Sequence, residues 1–286
     1  MPHVFNRRAV QFCICSFLSV PFLTAATVPD AAKQKQRYYR PRGAGPVAPR
    51  QSGEPVVVNA ASFLLGICPG ALATVFGQDL TTVSGQVLAN SNPLPTKLAG
   101  VEVDVNGVPA PIYSIAFANG QDQISFQVPY HTDTGPGAAL VEIFDFGDLV
   151  GSTVVDSFIE DPGIFAYGSA SFAVAVHNSD GTLVGPNNPA AAGEIIILYV
   201  TGLGPLTVDL PDGYGAPSNP LAFTVDPFRA IVDGEDCQVL FSGLGPGFVG
   251  LYQLNLKLPF DLRSGNLPIQ ITTQYANSQV ATLPVF

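Results

Sequence analysis

Two segments that lie far apart in the chain carry the same alternation of apolar and polar residues. The first runs from Gln123 to Tyr130 and the second from Gln253 to Phe260, and each reads Gln, apolar, polar, apolar, polar, apolar, Pro, aromatic. A period of two puts successive side chains on opposite faces of a β-strand, so each segment predicts a strand with one buried face. Because the two segments align without a gap, they also predict an internal repeat.

The match extends to the strands on either side of these segments. Asn106-Gly107 and Asp233-Gly234 are dipeptides typical of two-residue hairpin turns, which need positive φ at both central positions. After the turns, Ile112–Ser114 corresponds to Leu240–Ser242, which requires one inserted residue in the second copy. The same order of predicted strands and turns therefore occurs twice.

Each copy spans about 110 residues and contains about seven short predicted strands, which is the size and rhythm of an immunoglobulin-like sandwich. With 29 Gly, 26 Pro and only 12% charged residues, the composition is also unlike that of a helical bundle. We therefore predict an all-β fold with two tandem immunoglobulin-like β-sandwiches at residues 54–160 and 161–286. The alternatives are a single closed barrel or a two-blade fragment of a propeller, but each repeat is long enough to hold its own core.

The N-terminus has the pattern of a secretory signal peptide. Arg7 and Arg8 precede an apolar run over residues 9–23, and small residues follow at 24–26. The alternative is an uncleaved membrane anchor, but the run is short and contains Pro21. We predict a signal peptide at residues 1–26, an exported protein that is secreted or held in the bacterial cell envelope, and no membrane span after cleavage.

Charge is distributed unevenly along the chain, which has a net charge of -10. Residues 27–53 contain six basic residues and one acid, whereas residues 54–286 contain four basic residues and 21 acids, so 4 - 21 = -17. A general nucleic-acid-binding surface on the acidic body is excluded on this ground. Residues 27–53 lack apolar periodicity and predict a disordered or extended basic tether; the alternative is an arm that contacts anionic polymers of the envelope.

A set of short motifs resembles the Solibacter-type uncharacterised C-terminal domain family, which occurs on secreted acidobacterial proteins. The resemblance covers roughly residues 55 to 286 and implies export, an immunoglobulin-like or transcription-factor-immunoglobulin-like module, and no established activity. The strings that carry it most specifically are Asn59-Ala-Ala-Ser-Phe63 and Gly247-Phe-Val-Gly-Leu-Tyr-Gln253.

Catalytic motifs are weak. Asp145-Phe-Gly147 lacks the companion motifs of a kinase, and Pro246 and a predicted strand exclude a dinucleotide-binding helix after Gly243. His131 and His177 belong to no metal-ligand spacing and are interpreted as turn or strand-end residues. We therefore predict no catalytic residues and no cofactor.

Acidic residues supply weak candidates for calcium, which binds carboxylates between tandem extracellular domains. None of them has the spacing of an EF-hand loop, and solvated surface acids are the alternative interpretation. The candidates lie at the junction of the repeats and in one loop of the second repeat: Glu160, Asp161, Asp233, Glu235 and Asp236.

Two cysteines follow the predicted signal peptide, one in each repeat. In an exported protein, Cys68 and Cys237 suggest a disulfide that would link the repeats, and two buried or unpaired thiols are the alternative.

Together these patterns predict an exported, non-catalytic module for binding, adhesion or structure at the cell envelope or outside the cell, with a protein or glycan partner. The alternative is a carbohydrate-active enzyme or a glycan-binding module. An enzyme of that class needs two convergent carboxylates in a cleft, and a sugar platform often uses Trp, of which the chain has none.

Overall fold

The computed structural model describes residues 53–132 and 136–286, so the predicted signal peptide and all of the predicted tether except Gly53 lie outside the described residues. The described part contains strands and no helix, and hence no helix that could cross a membrane.

Residues 56–157 form two sheets that face each other. The strands of one sheet are, in spatial order, β1 (Val56–Asn59), β2 (Leu72–Gly77), β8 (Gln121–Gln127), β7 (Ile112–Ala118) and β3 (Gln86–Leu88). The strands of the other are β10 (Asp148–Ser157), β9 (Gly137–Asp145), β5 (Val101–Val105) and β4 (Lys97–Leu98), with β6 (Val108–Pro109) paired to β5. Neighbouring strands of both sheets are antiparallel.

Residues 163–285 form a second pair of sheets. The strands of one are β11 (Gly163–Ile164), β15 (Ile195–Thr201), β19 (Tyr252–Lys257) and β18 (Gln238–Leu244), with β14 (Ala175–His177) paired to β15. The strands of the other are β12 (Ala166–Tyr167), β13 (Phe172–Ala173), β21 (Ala281–Val285), β20 (Gly265–Thr273), β16 (Phe228–Val232) and β17 (Glu235–Asp236).

The two pairs of sheets share one connectivity. The order β2-β8-β7 in the first corresponds to β15-β19-β18 in the second, and β10-β9-β5-β6 corresponds to β21-β20-β16-β17. Each pair encloses its own apolar core, to which both of its sheets contribute fully buried side chains. The predicted fold class, two tandem immunoglobulin-like sandwiches, is confirmed.

The register of the strands corrects one detail of the repeat. Asn106-Gly107 and Asp233-Gly234 have positive φ at all four residues, as the hairpin prediction requires. No residue is inserted after the second turn, however, because a β-bulge occurs in both copies, at Tyr113 in β7 and at Leu240 in β18. The bulge changes the side-chain alternation at the same place in each copy, and the alignment with an insertion was therefore wrong.

An aromatic ring covers a glycine at the end of each repeated segment. The ring of Tyr130 packs on Gly70 and the ring of Phe260 packs on Gly193, and a Cβ at either glycine would collide with the ring. Both glycines also have positive φ, of 77° and 78°. The two contacts are equivalent in the repeat, but Tyr130 lies where the sandwiches meet whereas Phe260 is 76% exposed.

Candidate functional site

The two sandwiches are joined by a third apolar cluster, distinct from their cores. We call this contact between the sandwiches the joint. The first sandwich contributes Ala60, Ala61 and Leu72, and the second contributes, among others, Ile197 and Tyr199 of β15. In β15 these side chains alternate with Ile196, Leu198 and Val200, which point into the core of the second sandwich. Both faces of this strand are therefore buried, one in its own domain and one against the neighbouring domain.

Asn59 of β1 forms hydrogen bonds with Asp161, which lies in the segment between the two sandwiches. Its Nδ2 donates to the backbone O of Asp161 at 2.7 Å and to Oδ2 of Asp161 at 3.2 Å, and its Oδ1 accepts from the backbone N of Ala61 and Ser62. Both Asn59 and Asp161 are buried. Burial raises the pKa of the Asp161 carboxyl to about 7, although the hydrogen bond from Asn59 acts in the opposite direction.

Thr201 and Tyr113 add hydrogen bonds across the joint. Thr201 Oγ1 accepts from the backbone N of Leu72 at 2.9 Å and donates to the backbone O of Gly250 at 2.8 Å. The Tyr113 hydroxyl, at the bulge of the first sandwich, donates to the backbone O of Val249 at 2.8 Å. The buried backbone N of Leu72 and the backbone O of Val249 are thereby each satisfied by a side chain of the opposite sandwich.

A cleft of about 440 Å³ opens beside this joint. The first sandwich contributes Pro69, Tyr130 and His131, the connecting segment contributes Phe158 and Ile159, and the second sandwich contributes residues 204–210. Leu206, Val208 and Leu210 pack against the core of the second sandwich and present apolar wall to the cleft. Because its walls come from both domains, the shape of the cleft depends on how the sandwiches are held together.

The polar groups of the cleft lie at its mouth. His131 Nε2 is 2.9 Å from Asp209 Oδ1, and the two side chains are 59% and 85% exposed. Thr207 also lines the cleft, but its Oγ1 accepts a hydrogen bond from the backbone N of Phe223 at 3.2 Å. The cleft therefore combines an apolar wall with a polar rim, an arrangement that is suited to binding.

The five calcium candidates are not brought together. Asp233 forms a bidentate pair with Arg263 at 2.6 and 2.9 Å, and Asp236 forms one with Arg229 at 2.8 and 2.7 Å, so the pKa values of both carboxyls are lowered by hydrogen bonds from the arginines. Glu235 is exposed on β17.

Glu160 and Asp161 are buried at the joint, where burial raises the pKa values of both carboxyls. Over residues 53–132 and 136–286, no group of three or more His, Cys, Asp or Glu side chains is placed to hold a metal ion.

Cys68 and Cys237 are buried free thiols, so the structure contains the alternative interpretation and not the disulfide that would link the repeats. Cys68 is buried at the joint near Asp161 and Gly204, and Cys237 belongs to the core cluster of the second sandwich. Burial raises the pKa of both thiols, to about 12 for Cys237, and this keeps them in the unreactive protonated form.

The two histidines singled out in the sequence differ in environment. His131 lies in a turn at the mouth of the cleft. His177 ends β14, where its Nδ1 is 2.5 Å from Glu194 Oε1 and its Nε2 is 3.3 Å from the backbone O of Asn188. His177 therefore forms hydrogen bonds with the loop that precedes β15, and it does not line the cleft.

Both of the most specific motif strings lie at the joint, a placement that neither string predicts by itself. The first string supplies Asn59, Ala60 and Ala61, and the second supplies Val249 and Gly250. The sequence did contain a sign of this arrangement, because Ile195–Thr201 is a continuous apolar run, which is typical of a strand buried on both faces.

Fold and cleft together define a class: an all-β protein of two joined immunoglobulin-like sandwiches with an apolar cleft between them. No family model matches the chain, and no curated protein matches it.

Solved structures give low similarity. The Bacteroides ovatus mixed-linkage glucan utilization locus protein SGBP-B, in complex with a mixed-linkage heptasaccharide, is 12% identical with a TM-score of 0.31; the match covers 77% of this chain and 42% of that chain. The titin I9-I11 tandem is 13% identical with a TM-score of 0.20 and coverages of 77% and 62%. Domains 5-6 of the S-layer protein SbsC are 12% identical with a TM-score of 0.22 and coverages of 85% and 97%. At these scores the likenesses carry no argument about function.

Proposed function

We propose that this is an exported, non-catalytic module for binding, adhesion or structure at the cell envelope or outside the cell, and that a protein or glycan partner binds in the cleft between its sandwiches. We also propose membership of the Solibacter-type family described above. The observation that carries the binding function is the cleft of about 440 Å³, whose apolar walls come from both domains. A concave apolar surface with a few polar groups is the usual form of a ligand site.

The chemistry of the cleft supports binding over catalysis. Glycoside hydrolysis needs two carboxyl groups about 5–10 Å apart. Among the residues that line the cleft, Asp209 is the one carboxylate, and it is 85% exposed beside His131. One carboxylate cannot supply both the acid and the nucleophile or base that this reaction requires.

Glycan binding is the second candidate function, and the mouth of the cleft is the observation that favours it. His131 and Asp209 are exposed there and can both hydrogen-bond to hydroxyl groups, while the Tyr130 ring supplies an aromatic surface beside them. The two partner classes differ in what they would contact: sugars the polar mouth, and apolar peptide side chains the wall at Leu206 and Val208.

Labelled protein applied to arrays of oligosaccharides and of apolar peptides tests the proposal. We expect Val208→Lys to abolish binding of whichever probes are retained, because the new side chain fills the cleft with charge. His131→Ala should weaken the binding of oligosaccharides at least tenfold and should change the binding of peptides little. Val225→Lys, the same change at a residue 55% exposed outside the cleft, is the matched control. Absence of binding to both arrays, or equal binding by the Val208→Lys protein, would contradict the cleft as the site.

Export is tested separately by fractionation and intact mass. We expect the protein outside the cytoplasm and shortened by about the first 26 residues, since small residues at 24–26 end the apolar run. A full-length protein in the cytoplasm would refute export without bearing on the cleft.

A further inference from the structure

One face of the first sandwich carries apolar side chains that no described element covers. It is the outer face of the sheet formed by β4, β5, β9 and β10, opposite to the core. Here Leu140 of β9 lies directly across from Val154 of β10, and Phe144 lies across from Leu149. Leu140, Val154 and Leu149 are 40%, 47% and 56% exposed, respectively. Such an apolar surface on a folded domain indicates a site of contact.

Acidic side chains lie between these apolar pairs. Glu142 of β9 is directly across from Asp104 of β5, and Glu102 lies two residues along the same strand. Burial, together with the charges of Glu102 and Glu142, raises the pKa of Asp104. Lys97 pairs with Glu102 at 2.7 Å and leaves the other two carboxylates without an ion pair among the described residues. Like charges directly opposite each other on a sheet are unfavourable, so this face suits a cationic occupant.

The basic segment of the same chain fits this requirement better than a second copy does. Two copies meeting through this face would bring their acids together, and the body at residues 54–286 carries -17. Residues 27–53 carry six basic residues and one acid, and they include Tyr38 and Tyr39, which can cover apolar side chains.

The position at which the chain enters the structure also favours this occupant. Pro55 packs against Gly151 of β10, the edge strand of the same sheet, where its ring fills the space that a Cβ would occupy. Residues 27–52 can extend to about 85 Å. Crossing the four strands of the sheet requires only about 15–20 Å, so the segment can pass around the edge and across the outer face.

We infer that residues 27–52 lie across the outer face of this sheet in the folded protein, with their Lys and Arg side chains beside Glu102, Asp104 and Glu142 and with Tyr38 and Tyr39 against Leu140 and Val154. The segment then covers the surface as an internal ligand. This inference is independent of the cleft.

A single introduced Trp tests the contact, because the chain has none of its own. In the chain expressed with its own N-terminal segment, the indole of the Val154→Trp variant should be protected from acrylamide quenching at low salt. The acrylamide quenching constant should rise at least threefold in high salt. It should rise equally when the six basic residues of the segment are changed to Gln: Lys33, Lys35, Arg37, Arg40, Arg42 and Arg50. Carbodiimide cross-linking followed by mass spectrometry gives an independent measurement, in which Lys33 or Lys35 should join to Glu142 or Asp104.

Two matched variants complete the design. Phe117→Trp places the indole on the other sheet of the same sandwich, at a residue 51% exposed, and its quenching should not respond to the basic residues. Glu142→Lys should remove the protection and the cross-links, whereas Glu235→Lys, the same change on the second sandwich, should leave both intact. Quenching that is equal with and without the basic residues would overturn the inference. Protection that grows with protein concentration would assign the face to a second copy and would also overturn it.

Discussion

At the level of single residues, Asp161 is the group whose ionisation should be most visible. It is buried at the joint with Asn59 as its hydrogen-bond donor, and its pKa is raised from an ordinary value of 3.8 to about 7. The folded protein therefore holds a proton that the unfolded chain releases between about pH 4 and 7. The contribution of the protonated Asp161 carboxyl to the free energy of unfolding is fully present below pH 4. It declines as the pH rises from about 4 to 7, and above that range it is lost and the free energy changes no further.

We expect Asp161→Asn to remove this dependence. The variant should match the parent near pH 4 and exceed its free energy of unfolding at pH 8 by up to about 4 kcal/mol, because the cost of ionising a buried carboxyl is gone. Urea denaturation at both pH values measures the difference. Asp156→Asn, at an exposed acid of β10, should change the profile little. If the Asp161→Asn protein kept the full slope of the parent between pH 4 and 7, the assignment of that slope to Asp161 would be wrong.

At the level of elements, β2 and β15 depend on each other through Thr201. The Thr201 hydroxyl satisfies the backbone N of Leu72 and the backbone O of Gly250, and all three groups lie in the joint. Thr201→Val preserves shape but leaves a buried donor and a buried acceptor unpaired, which should cost about 2–4 kcal/mol of stability. Thr201→Ser keeps the hydroxyl and should cost about 1 kcal/mol or less. Chemical denaturation compares them, and equal losses in the two variants would show that the hydroxyl contributes nothing.

The strands could be predicted from the sequence where one face is polar. Gln123–Tyr130 alternates because β8 has solvent or polar neighbours on one side, and the hairpin turns at Asn106 and Asp233 need residues that tolerate positive φ. These are local requirements, and local sequence therefore reveals them.

The joint and the cleft could not be predicted in the same way, because their partners are distant in the chain. Asn59 and Asp161 are 102 positions apart, and Tyr113 and Val249 are 136 apart. No periodicity links such residues. The bulge that directs Tyr113 into the joint is repeated at Leu240, which is 47% exposed, so a repeat in sequence did not imply a repeat in role.

At the level of the whole molecule, the joint should make the two sandwiches unfold together. Their contact combines a shared apolar cluster with three kinds of crossing hydrogen bond. Asn59 donates to Asp161 of the connecting segment, the backbone N of Leu72 donates to Thr201, and the Tyr113 hydroxyl donates to the backbone O of Val249. Domains joined only by a linker would melt in separate transitions, whereas a buried apolar interface couples them.

We therefore expect one calorimetric transition, with equal calorimetric and van't Hoff enthalpies, for the parent protein. Ile197→Asp puts a charge into the shared cluster, while its neighbours Ile196 and Leu198 still fill the core of the second sandwich. The variant should lose at least about 3 kcal/mol and melt in two transitions, because the charge separates the domains before it unfolds either of them. Val225→Asp, at an exposed position, should retain a single transition near that of the parent. Two transitions in the parent protein, or one unshifted transition in the Ile197→Asp variant, would mean that the shared cluster does not couple the sandwiches.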